Sequence, residues 1–249
     1  MRKKLRRLKS DTEKIGWTTL LLSMFFPLLG LTCGWGLTWE TGDEQAFARF
    51  IKFCTPAMAA MLACQVIIFR AAQRRLLFRL FFFGLIVLGL ALFPLCIYLP
   101  FFWMDEYAPL AKLAMLQVIV VVFVANCIHG VRVFNAAWTR VGHAEFEKQF
   151  DPRVATLDWA SITRKMAVDL NIHLPGVSGE GAMLVAVASF AGMLILPFFR
   201  PIFPSVVLFS LGMPFTLAAA YFVQLAAFGF AQMFQVRKIE KQYGITLKA

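Results

Sequence analysis

The sequence predicts an all-α, polytopic integral membrane protein of about six transmembrane helices, with both termini and a helical segment between helices 4 and 5 in the cytoplasm. Three observations lead there. Of the 249 residues, 60% are hydrophobic and 16% are charged, and the mean hydropathy of +0.71 lies far above that of an ordinary water-soluble domain. Apolar runs long enough for a bilayer, which needs about 20 helical residues for a hydrocarbon core of ~30 Å, recur six times, over 16–39, 50–69, 80–103, 110–131, 181–199 and 206–234. All but four of the 25 Lys and Arg residues fall before the first run, between runs two and three, between runs four and five, or after the sixth. Basic residues are retained on the cytoplasmic side. With such compact loops, this bias points to a bacterial-type inner (plasma) membrane.

Taken in order, residues 1–15 form a basic N-terminus with Arg2, Lys3, Lys4, Arg6, Arg7, Lys9 and Lys14. It precedes an apolar run longer than a signal peptide's and without an Ala-x-Ala exit, which suits a retained first helix. Residues 16–131 hold the first four spans. Lipid offers no hydrogen-bond partner to a backbone amide, and long runs without alternation suit helices over barrel strands. Small residues recur four apart at Gly30 and Gly34, Ala59 and Ala63, Ala182 and Ala186, and Ala188 and Gly192, a spacing that lets helix backbones approach closely. Pro27, Pro56, Pro94 and Pro214 fall inside spans, where kinks are tolerated once neighbours satisfy the freed carbonyls. Cys33, Cys54, Cys64, Cys96 and Cys127 lie within spans and without CxxC spacing, as packing residues do. Leu-Pro-Phe-Phe occurs at 99–102 and again at 196–199, each at an outward exit, where interfacial aromatics collect.

Residues 132–180 are the one soluble stretch long enough to hold structure. Phe134, Trp138 and Val141 keep helical spacing, so the fourth helix is expected to continue beyond the membrane. Asp151-Pro152 reads as an N-cap and first position of a second helix reaching about Asn171, with Trp159, Ile162, Met166 and Leu170 as its apolar stripe and Arg164 and Lys165 on other faces. Two fates are open for that stripe: burial on the protein's own bundle, or a docking face for lipid or a partner. Pro175-Gly176 ends the segment, Gly176–Gly181 forms a hinge, residues 181–234 carry the last two spans, and 235–249 form a basic tail.

Chemistry is sparse. No Asp or Glu lies well inside a span, which disfavours a carboxylate proton relay. Gln65, Gln117, Asn126, His129, Gln224 and Gln232 do lie within spans, either lining a path or bonding helix to helix. His129, His143 and His173 form no HExxH pair, and His143, Glu145 and Glu147 are two apart, a spacing that sends helical neighbours to different faces. Neither a metal nor another cofactor is expected. GVSGEG lacks the GK[ST] ending of a phosphate loop, and Ser178 has Glu180 where a nucleophile elbow wants Gly.

The net charge of +11 is spread over every inner loop, so nucleic acid is not an expected partner. The expected function is a non-enzymatic membrane component or partner-binding protein, such as an accessory subunit or an immunity-type protector, using Trp138, Trp159, Ile162, Arg164, Lys165 and Met166. Membrane lipids, another membrane or cytoplasmic protein, and a second copy in an oligomer are its expected partners. The alternatives are a channel or carrier lined by Gln117, Asn126, His129 and Gln224, and a membrane-embedded lipid-modifying enzyme.

Overall fold

A computed structural model of the chain describes residues 2–40, 43–150, 157–177, 179–195, 198, 202 and 204–248. The described elements are helical: α1 (Arg2–Glu40), α2 (Glu44–Ala72), α3 (Leu76–Tyr98, continued by a tighter turn over Leu99–Trp103), α4 (Pro109–Ala137), α5 (His143–Gln149), α6 (Trp159–Met166), α7 (Gly179–Ile195) and α8 (Pro204–Tyr243). Among these residues five stretches are long and apolar enough to cross a membrane: Trp17–Trp39, Gln45–Ala72, Leu76–Trp103, Pro109–Gln149 and Ser205–Tyr243. Of the expected span at 181–199, the described α-helix is α7, 17 residues ending at Ile195. Residues 196, 197 and 199, and with them most of the second Leu-Pro-Phe-Phe, lie outside the described residues.

α3 and α8 form the centre, with α1 and α2 packed on α3 and with α4 and α7 packed on α8. The predicted small-residue stripe on α1 is a contact: a Cβ on Gly30 would lie 2.4 Å from the Phe93 carbonyl oxygen, and one on Gly34 2.4 Å from that of Cys96. Only glycine lets α1 approach the α3 backbone this closely. Ala59 and Ala63, by contrast, face outward on α2. α3 and α8 run antiparallel, and Tyr98 donates its hydroxyl to the Leu208 carbonyl at 3.1 Å. Gln65 joins three helices, accepting from Ser23 Oγ at 3.0 Å and donating to the Leu85 carbonyl at 3.1 Å.

α4 passes through one wider, π-type turn at Trp138–Gly142 into α5, so the helix runs on for 41 residues. That is about 60 Å, twice the hydrocarbon thickness. The expected continuation of the fourth helix is therefore present. α8, with 40 residues, has a similar length. Both project at the end where α2 turns into α3, because Leu76 and Leu80 pack in one core with Phe134, Trp138, Val236, Ile239 and Leu247. The tail is tied there as well: Leu76 N donates to the Leu247 carbonyl at 3.1 Å. α1 enters from the same end, with Leu20 packed near Phe69, Ala72 and Phe82. Arg70, Arg74, Arg75, Arg79, Arg132, Arg140, Arg237 and Lys238 thus gather at one basic end.

Candidate functional site at the basic end of the bundle

α6 begins at Asp158, whose side chain accepts from Ser161 N at 3.0 Å, and ends at Ala167, which adopts φ 44°. The expected helix of 152–171 is corrected accordingly. Its start at Asp151 and Pro152 lies outside the described residues, and Leu170 falls beyond its end. A left-handed alanine costs about 1–2 kcal/mol, and here it frees the chain to leave the helix and turn down along α4.

The apolar stripe of α6 is buried on the protein itself. Trp159, Ile162 and Met166 are 4%, 0% and 0% exposed, in one core with Trp138, Phe146 and Ala231. Trp138 and Trp159 stack at 5.6 Å, and Trp159 Nε1 donates to Gln232 Oε1 at 2.7 Å. A buried indole N–H needs such a partner. The absent side chain of Gly142 makes room for this packing, since a Cβ there would lie 2.7 Å from the Trp138 ring and 3.1 Å from Met166 Sδ. Of the six residues expected to meet a partner, Trp138, Trp159, Ile162 and Met166 are therefore core, while Arg164 and Lys165 face outward. Lys165 bonds Glu145 across α5 and α6. Its ammonium, followed by that of Lys148, holds the Glu145 carboxyl below the usual carboxylate range.

From Met166, beside Gly142 of the α4–α5 helix, the chain descends to Leu174, which clusters with Val122, Ala182, Leu217 and Ala220. Residues 167–174, which carry no helix, form a strap that runs along α4 from α6 to the Asn126 level. It packs alongside α4 and α8. Non-helical backbone packed on helices must find its hydrogen-bond partners there. Asn126, fully buried on α4, supplies them: Nδ2 donates to the His173 carbonyl at 2.8 Å, and Oδ1 accepts from His173 N at 2.9 Å. His129, one turn further along, stacks on the His173 ring at 4.6 Å and 6°.

Gln224 is also fully buried, and neither its Oε1 nor its Nε2 has a hydrogen-bond partner among the described residues. Its backbone lies at the α4–α8 contact, where a Cβ on Gly130 would meet the Gln224 carbonyl at 2.5 Å. Gln117 is exposed on an outer face of α4, apart from Asn126, His129 and Gln224. Sequence reasoning missed His173 as a structural partner, because a loop histidine 47 residues from Asn126 carries no periodic signal. It singled out Gln232 as a polar group within a span but did not pair it with its indole donor, Trp159, 73 residues away. Among the described residues no three His, Cys, Asp or Glu side chains gather as a metal site, and all five cysteines are free. Comparison of the chain with protein families, with curated proteins and with solved structures found no match.

Proposed function

We propose that the protein is a non-enzymatic integral membrane component, an accessory subunit or protector, that offers the basic end of its bundle to a partner protein. One observation carries this reading. α6 is held by its own buried stripe, with the Trp138–Trp159 stack beneath it, and turns Arg164 and Lys165 outward. A charged face fixed by a packed core loses little conformational freedom on binding, which favours association. In this proposal the basic end and both termini face the cytoplasm of a bacterial-type inner membrane, in line with the retention of basic loops. The test is purification of the tagged chain from native membranes in mild detergent, with mass spectrometry of what accompanies it. A stoichiometric partner that Arg164→Glu releases, with membrane insertion and thermal stability kept, supports the proposal; a partner-free oligomer overturns it.

A second reading, a channel or carrier for a small solute, is favoured by a different observation. Gln224 has an amide without a hydrogen-bond partner among the described residues at 0% exposure, on α8, one of the two helices against which the strap packs. Interrupted helices within the membrane line binding sites in transporters. Purified protein in liposomes should then show flux that Gln224→Leu reduces, and flux equal to that of empty liposomes removes this reading.

A further inference from the structure

On the side of α4 and α8 away from the strap lies an open groove of ≈ 530 Å³. Ile128 and Val131 of α4 and Phe230 and Phe234 of α8 form its apolar part. Phe230 packs a ring edge on α3, where a Cβ on Gly84 would come within 2.6 Å of it, so the floor of the groove is backed by a third helix. The groove opens to the apolar surroundings of the bundle, with Ile128 46% and Phe234 56% exposed. Arg132 of α4 and Lys238 of α8 also line it, each one turn toward the basic side from an apolar lining residue of its own helix, Ile128 and Phe234, with Asn135 and Gln235. No acidic residue lines it, and neither cation makes an ion pair among the described residues.

We propose that this groove is a binding site for an anionic phospholipid of the leaflet at the basic end. One acyl chain lies between α4 and α8 against Phe230 and Phe234, and the phosphate lies between Arg132 and Lys238. The charge fits a headgroup with net negative charge, and the amphipathic layout fits a lipid better than a soluble anion: each wall of the apolar furrow carries one cation, set one turn toward the basic side from an apolar lining residue. Basic pockets between membrane helices on this kind of face hold such headgroups. The inference is independent of the partner reading above, since Arg164 lies on α6 and takes no part in the groove.

The experiment is native mass spectrometry of the full-length protein released from detergent micelles, titrated with phosphatidylglycerol or with phosphatidylcholine. Each basic residue near the membrane surface contributes a factor of about 5 to anionic-lipid binding. The paired change Arg132→Gln and Lys238→Gln should therefore lower the preference for phosphatidylglycerol by about 25-fold. Ile128→Trp, at an exposed position, should lower phosphatidylglycerol retention by filling the furrow while both cations stay. Equal retention of the two lipids by the unaltered protein overturns the proposal, as does an equal loss on changing Arg70 and Arg74 to Gln, which would make the effect one of overall charge. Displacement of the lipid by millimolar inorganic phosphate, with Ile128→Trp silent, would place the anion on the cations alone and overturn the role of the groove.

Discussion

Replacing Asn126 by Leu should release the strap and leave the bundle standing. The two side chains have similar volume, so the change removes hydrogen bonds and little packing. The Asn126 amide makes two bonds to the strap, to the carbonyl and to the N–H of His173 at 2.8 and 2.9 Å, and a third to the Val122 carbonyl at 2.8 Å. The Val122 carbonyl keeps its helical donor. The two groups of His173 lose theirs, and each orphaned buried group costs about 1–3 kcal/mol. His173 is only partly buried, so the lower part of the summed range applies, about 2–4 kcal/mol. At 1.4 kcal/mol per decade that raises strap opening by roughly 30- to 700-fold.

Hydrogen–deuterium exchange of the protein in nanodiscs reads this directly, as faster exchange over 167–177 with α3 and α8 unchanged. His173→Ala provides the contrast. It deletes the stacked ring and keeps both backbone bonds, so most protection should remain. Unchanged exchange of the strap in Asn126→Leu, or a loss spread evenly through α3, would refute the clamp.

Other outcomes follow from the same geometry. Gly34→Val should force α1 off α3, because its Cβ begins 2.4 Å from the Cys96 carbonyl oxygen; overpacking costs about 1–3 kcal/mol, read as a lower melting temperature in detergent, whereas Ala63→Val on the outward face of α2 should be neutral. Trp159→Phe keeps the stack with Trp138 and leaves Gln232 Oε1 without its donor at 2.7 Å, which should cost about 1–3 kcal/mol in a thermal melt; an unchanged melt would show that the bond contributes nothing. Glu145 has a folded-state pKa held below its ordinary value by Lys165 and Lys148, so its bridge contributes above the unfolded pKa of about 4.3 and is lost as pH falls through the lower folded value. Tryptophan fluorescence should report α6 loosening in that acid window, and Glu145→Gln should flatten the response; an identical acid transition in both proteins would remove Glu145 as its origin.

How far the sequence carried depended on the range of the signal. Hydrophobic run length marked five of the membrane-length helices, because a lipid-facing helix must be apolar along its whole length whatever its neighbours are. For the run at 181–199 the described helix is α7, which ends at Ile195 before residues that are not described. Periodicity marked Trp159, Ile162 and Met166 as one stripe but left its cover undecided. Burial against Trp138 and Ala231 resolved that point, through contacts between residues far apart in the chain. Gly30 and Gly34 looked like Ala59 and Ala63 in spacing; only the approach of α3 separated a contact from a coincidence.

Asn126, His129 and Gln224 were legible as polar groups in an apolar run, which is where burial makes polarity costly. Their roles were not legible, because a hydrogen bond is decided by the partner, and the partner of Asn126 is the backbone of a strap without periodic pattern. By itself the sequence determined the solvent, the helical class and the gathering of charge at alternate connections, all properties of local composition. Tertiary structure alone decided the strap, the buried α6 stripe and the groove lined by Arg132 and Lys238. Each of these exists only where two distant segments meet at a common depth.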